Sequence, residues 1–223
     1  DNLDNRVTNL ESATGNGELN EYVIDLKLLD RTTVNVTAGR VIKFNIDWGD
    51  GTVDSNIQHT YTLKEGDSTQ FTLKTKDILG QDLRKCCIAI NKLLFVPLYD
   101  NDDPDAFDED TENLFKGFIN LKHVGDITGR IKDLTGMFKG CVKLEHPGNL
   151  TEGAEITDGM YDGCTSLKEC CKLPSTVKSA VGMYNRCTSL EVAGELNEGL
   201  TDASFMYSVS GVVKMDNPLP STL

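Results

Sequence analysis

Met137-Phe138-x-x-Cys141-x-x-Leu144 decides the fold, because the phrase returns every 23 residues down the second half of the chain. It appears as Leu114-Phe115-x-x-Phe118-x-x-Leu121, then at Met160-Tyr161-x-x-Cys164-x-x-Leu167 and Met183-Tyr184-x-x-Cys187-x-x-Leu190. Met206-Tyr207-x-x-Ser210-x-x-Val213 completes the set, with no insertion or deletion. Ile127, Leu150, Leu173, Leu196 and Leu219 keep the same beat, as do Ile131, Ala154, Val177, Leu200 and Leu223. Gly136, Gly159 and Gly182 stand just ahead of three of the phrases. Apolar columns at a fixed period of about 20–29 residues are the sequence mark of a solenoid like that of leucine-rich repeats, in which neighbouring units bury each other's faces. The phrases put that solenoid at residues 113–223.

Outward from the repeats, the preceding stretch is acidic. Asp100, Asp102, Asp103, Asp105, Asp108, Glu109, Asp110 and Glu112 come without a single Lys or Arg between them. Taking these eight charges from the chain's −13 leaves −5, so most of the imbalance is local. With Pro104 and no apolar period, residues 99–112 read as a solvated linker. Counted as an EF-hand from Asp100 the run fails, because Pro104 takes the fifth position and Asp105 that of the turn glycine. A looser Ca²⁺ site here, or around Asp47, Asp50 and Asp54, is the competing reading.

Residues 19–98 alternate as strands do. Tyr22–Leu28, Thr33–Thr37, Val41–Trp48, His59–Thr62, Gln70–Thr75 and Cys87–Ile90 are separated by short turns, and Gly49-Asp50-Gly51-Thr52 is a hairpin signal. Several short strands at this spacing predict a small antiparallel β-sandwich. Ahead of it, Leu3, Val7 and Leu10 make one and a half heptads in a polar surround. Residues 1–18 are then either the tail of a coiled coil or an amphipathic cap. The fold expectation is therefore mainly β: a sandwich, then a solenoid with short helical or irregular segments in its repeats.

Two resemblances sharpen this. Ile46-Asp47-Trp48-Gly49-Asp50-Gly51-Thr52 with His59-Thr60-Tyr61 resembles the signature of PKD-type immunoglobulin-like domains. The resemblance implies that Trp48 packs in the core and that Asp50 ties the turn. Thr69-Gln70-Phe71-Thr72-Leu73 meets the family's next strand only loosely. The repeats resemble bacterial surface leucine-rich repeats of the BspA type, which carry Met or Phe, Cys and Leu at these offsets. Phe118 and Ser210 replace Cys in the end units, and Phe205 stands where Gly182 leads the unit before, as end units of a repeat array allow. The pairing resembles bacterial surface proteins and phage fibres.

Few residues invite chemistry. His123, His146 and Glu169 share one column, and two His with a carboxylate are residue types that hold a divalent transition metal. Val192 and Met215 continue that column, and the expectation is an exposed polar ladder with no resident metal or cofactor. His59 with Asp50 and Ser55 makes a triad only on paper; as a strand residue, His59 is expected to be structural. The sequence has no Gly-x-Ser-x-Gly, phosphate-binding Gly loop or His-Glu-x-x-His, so no catalytic residue is expected. Seven Cys, three of them in one apolar column, read as free buried thiols rather than disulfides. That suits a chain folded in a reducing cytoplasm even if it works outside the cell.

Clustered Lys and Arg are lacking, which argues against nucleic acid. No run of about 18 apolar residues exists, which argues against membrane insertion. The chain opens at Asp1 with no Met or visible signal peptide, as in a mature form or a fragment. The function expected is non-enzymatic adhesion or receptor binding, in a phage fibre or a bacterial surface adhesin, toward a host or cell-surface protein or glycan. Location would be the virion surface or the bacterial cell surface, with a homotrimer formed through the N-terminal segment. Two alternatives stand beside it: a carbohydrate-targeting region of a secreted enzyme, and a structural virion spacer or decoration.

Overall fold

The computed structural model describes residues 20–27, 33–37, 46–47, 51–54, 58–62, 68–75, 84, 87–95, 112–129 and 131–223. The heptads before residue 18, Trp48, Asp50 and the acidic stretch up to residue 111 lie outside the described residues. What is described is mainly β, with strands and turns and no named helix.

The alternating stretches form β1 (Asn20–Lys27), β2 (Thr33–Thr37), β3 (Ile46–Asp47), β4 (Val53–Asp54), β5 (Gln58–Thr62), β6 (Ser68–Thr75) and β7 (Cys87–Phe95). β8 (His123–Gly129) follows within the first repeat. One open sheet has the order β4-β3-β6-β1-β7-β8, and β2 pairs with β5 in a second, two-stranded sheet. The Gly/Asp hairpin signal closes where expected, with Ile46 opposite Asp54 and Asp47 opposite Val53. Gly51 sits in it at φ 93°, which a side chain would resist.

Like the two-residue β4, β8 is a strand the alternation did not announce. It pairs with β7 in parallel, Ala89 opposite His123 and Ile90 opposite Val124. Parallel strands need a long crossover, and the chain between Phe95 and His123 is long enough for one. Sheet and repeats thereby share one edge.

Beyond β8 the 23-residue units bond edge to edge. Phe115 N–H donates to Met137 C=O at 2.9 Å, Phe138 to Met160 at 2.9 Å, Tyr161 to Met183 at 3.0 Å and Tyr184 to Met206 at 2.9 Å. Isolated parallel bridges join His123 to His146, Ile127 to Leu150, and Asp133 to Ile156 to Ser179 to Asp202 in file. The aromatic residue of each phrase stacks on the next. Centroids are 5.5 Å apart for Phe115–Phe138, 5.7 Å for Phe138–Tyr161 and Tyr161–Tyr184, and 5.6 Å for Tyr184–Tyr207, with the planes within 9° of parallel.

The recurring apolar residues form the core. Met137, Met160 and Met183, Cys141, Cys164 and Cys187, and Leu121, Leu144, Leu167 and Leu190 are all buried. Each fully buried Leu or Met contributes roughly 1.5–3 kcal/mol relative to exposure. Two residues four apart frame each phrase in the left-handed region: Gly136 and Gly140, Gly159 and Gly163, Gly182 and Arg186, Phe205 and Val209. That explains the leading glycines, since only a residue without Cβ enters this region freely.

The last unit departs from the beat. Val213 holds the place of Leu190 in the sequence, yet it is 89% exposed, and Val212 packs against the core instead. The bridge partner of Val192 is Lys214, one residue short of the 23-residue step to Met215. Gly211 permits the slip: a Cβ there would lie 2.4 Å from the Thr188 carbonyl oxygen. The regular spacing returns at Ser221, whose hydroxyl donates to the Glu198 carboxylate 23 residues before it.

Candidate functional site

With the recurring residues inward, what remains to meet a partner is the set of outward columns on residues 113–223. Many of their polar side chains bond to the same position one unit away. Lys143 Nζ donates to Asn120 Oδ1 at 2.7 Å, Asn149 Nδ2 to Asp126 Oδ1 at 3.1 Å, Lys178 Nζ to Glu155 Oε2 at 3.0 Å and Ser175 Oγ to Glu152 Oε2 at 3.0 Å. Lys168 pairs with Glu145 in the same way. In this column Lys122, Glu145, Lys168, Glu191 and Lys214 alternate in sign, so neighbouring units attract. The Lys168 ammonium holds Glu145 below its usual value, as Ser175 hydrogen bonds do for Glu152.

The column of His123, His146 and Glu169 is partly assembled. His146 Nδ1 lies 2.7 Å from Glu169 Oε1, and the His123 and His146 rings are 6.4 Å apart, tilted by 58°. His146 and Glu169 are both well exposed. Among the described residues no group of three His, Cys, Asp or Glu is gathered closely enough to hold a metal ion. The pair is arranged as a solvent-facing hydrogen bond. His59 lies on β5 with its ring edge-on to Tyr61 at 4.8 Å, while Asp50 and Ser55 lie outside the described residues. Of the suggested calcium carboxylates, Asp47 and Asp54 fall on the paired backbones of β3 and β4.

The described cysteines are free. Cys141, Cys164 and Cys187 donate their thiol protons to the carbonyls of Phe115, Phe138 and Tyr161, each at 3.2 Å. Burial pushes the Cys141, Cys171 and Cys187 thiols up to about 12 and raises that of Cys164 as well. A neutral, enclosed thiol is a poor nucleophile. Cys170, the half-buried neighbour of Cys171, points the other way along the chain, toward Tyr207.

Three features carried little sequence signal. Asp162 is buried inside the repeats, where Arg186 Nη2 reaches its two oxygens at 2.7 and 2.6 Å. Lys139 sits 3.0 Å away and Asn185 donates at 3.0 Å. Burial works against its ionisation, but Arg186 and Lys139 outweigh that and hold the carboxyl below its usual value. A shallow pocket of 270 Å³ opens between Glu152, Lys172, Ser175 and Glu195, with Asn197 at its wall. Lastly, the final unit exposes Phe205, Val209, Val213, Met215, Leu219 and Leu223. Phe205 in a glycine position was the one visible hint of it.

Comparison with protein families, curated proteins and solved structures finds no match for the chain. The outward columns are therefore interpreted from their own chemistry. They offer carboxylates, ammonium groups, hydroxyls and amides on a regular face, alongside a shallow polar pocket. Hydrogen-bonding recognition of a protein or glycan uses those groups. Among the described residues no helix is long and apolar enough to cross a membrane.

Proposed function

We propose that the protein is a non-enzymatic adhesion or receptor-binding module, displayed on a virion or bacterial surface. In this reading a PKD-like β-sandwich carries a BspA-type leucine-rich-repeat solenoid, and the solenoid's outward columns contact a host protein or glycan. The observation that carries it is the division of labour within each unit. Phe or Tyr, Met, Cys and Leu of the phrase are consumed by burial and inter-unit bonds, which leaves the non-recurring residues between them to vary outward. Repeat arrays use such extended faces for binding.

The same reading takes the chain as a homotrimer joined through the N-terminal segment, upstream of Leu3. Fluorescently labelled full chain applied to a panel of bacterial cells should bind saturably and be displaced by unlabelled protein. A panel on which no strain binds would remove the receptor-binding reading. Sedimentation equilibrium checks the assembly separately: a trimer mass is expected, and a monomer ends the trimer part alone.

A further inference from the structure

The outward column of Asp126, Asn149, Lys172 and Glu195 advances by 23 residues at each step. At its first step Asn149 Nδ2 donates to Asp126 Oδ1 at 3.1 Å. The step from Lys172 to Glu195 joins opposite charges, yet among the described residues neither side chain has a hydrogen-bond or ion-pair partner. Both line the 270 Å³ pocket instead. Glu152, the other charged residue of the lining, is engaged: its oxygens accept from Ser175 N–H at 3.2 Å and from Ser175 Oγ at 3.0 Å. Leu173 and Pro174 are buried and Leu196 packs against the core, so the base of the pocket is apolar. Asn197 is held in place by donating Nδ2 to the carbonyls of Pro174 and Val177. Among the described residues its enclosed Oδ1 accepts no hydrogen bond, and an unmet acceptor there favours a ligand rich in donors.

The lining selects its occupant by chemistry. An ammonium only donates and a carboxylate only accepts, so a ligand that meets both Lys172 and Glu195 needs acceptors and donors side by side. With two carboxylates to one ammonium, the lining repels an anion. An apolar molecule would strip water from the charged groups without replacing its hydrogen bonds. A metal ion lacks ligands, since among the described residues no group of three His, Cys, Asp or Glu is gathered for one. A sugar ring meets each condition. Its hydroxyls both donate and accept, the ring is uncharged, and its C–H face covers an apolar base. We propose that this pocket binds one neutral sugar residue of a glycan. Lys172 Nζ donates to one ring hydroxyl, Glu195 accepts from another, and the ring lies over the base formed by Leu173, Pro174 and Leu196. The pocket then serves the recognition role proposed above, on which this assignment rests, and takes glycan as its ligand.

The test is saturation-transfer NMR on the full chain with the methyl glycosides of glucose, galactose, mannose and N-acetylglucosamine. Each is raised to about 50 mM, to reach a weak single-sugar site. At least one should bind saturably, with an affinity nearly unchanged between low and high salt, because an uncharged ligand forms no screened ion pair. Lys172→Met and Glu195→Gln, both at exposed positions, should each weaken it by about fivefold or more and leave the urea midpoint in place. Free glycine serves as the zwitterionic control. Glycine binding that fades with salt, while no glycoside binds, overturns the proposal and assigns the pocket to an amino-acid ligand. Absence of binding by all four glycosides also overturns it, as does binding that both variants retain. Cell binding separates this site from the wider role. Wild type that binds cells but no glycoside keeps the recognition role and loses the sugar site, whereas a glycoside bound without any cell binding does the reverse.

Discussion

Cys164 donates its thiol proton to the carbonyl oxygen of Phe138 across 3.2 Å, closing a bond between the phrase of one unit and that of the unit before. The repeat keeps Cys here because the site is small, buried and faces a carbonyl with a lone pair to spare. A thiol is a weak donor that tolerates burial better than a hydroxyl. Cys164→Ala removes both the bond and the volume, and should cost about 1–2 kcal/mol in urea unfolding.

Thiol labelling tests the same column without mutation. Among the described cysteines, half-buried Cys170 should react first with a maleimide on the native protein at pH 8. Cys141, Cys171 and Cys187, pushed up to about 12 by burial, should label only on unfolding. Mass mapping of the labelled peptides reads the order directly; native-state labelling of Cys141 ahead of Cys170 would contradict the packing.

Tyr161 and Tyr184 stack face to face, but their hydroxyls differ. Tyr184 Oη accepts the Cys171 amide at 3.1 Å and lies 3.2 Å from its sulfur. Among the described residues, the buried Tyr161 Oη has no hydrogen-bond partner. Tyr161→Phe should therefore be neutral or slightly stabilising, whereas Tyr184→Phe leaves a buried amide unpaired and should cost about 1–3 kcal/mol. Equal effects of the two substitutions on the urea midpoint would refute this assignment.

Asp162 gives the pH dependence a direction. Its carboxyl is held below the ordinary Asp value of 3.8. The stabilisation it provides is thus complete above that value and disappears as pH falls through the lowered one. Asp162→Asn should cost about 1–2 kcal/mol at neutral pH, less than a fully buried pair because Arg186 and Lys139 remain half in water. The gap between variant and wild type should narrow in acid, as measured by thermal melts from pH 7 down to pH 2.

Val209→Gly should raise stability by about 1 kcal/mol, since a β-branched residue at φ 55° gives way to one that enters that region freely. His146→Ala, by contrast, removes only an exposed pair and should change stability by less than about 0.5 kcal/mol. Addition of zinc should not alter that small difference.

The phrase Met137-Phe138-x-x-Cys141-x-x-Leu144 was legible because burial forces one residue type into one column; the stacked rings and the buried Cys and Leu follow from it. The strands at Asn20–Lys27, Thr33–Thr37, Gln58–Thr62, Ser68–Thr75 and the start of Cys87–Phe95 were legible through alternation. β8 was not, since its partner β7 lies across a long crossover and no local pattern encodes which edge a parallel strand joins. The slip that buries Val212 in place of Val213 was hidden too. It depends on the close approach of Gly211 to Thr188, a three-dimensional contact with no period. Asp162 looked like any surface Asp until Arg186, in a glycine position, turned its guanidinium onto it. The His column was visible, but the His146–Glu169 hydrogen bond depends on side-chain aim, which no period encodes.

The strict 23-residue spacing has a consequence for how such a chain can change over generations. Duplicating or deleting one whole unit keeps every ring, thiol and carbonyl in register. The array can therefore lengthen or shorten in steps of roughly 4.8 Å, one strand spacing, without redesign of its interior. A partial duplication would break the file of rings at once. Growth by whole units and drift of the outward residues are thus independent, and the length of the array can vary separately from its surface chemistry.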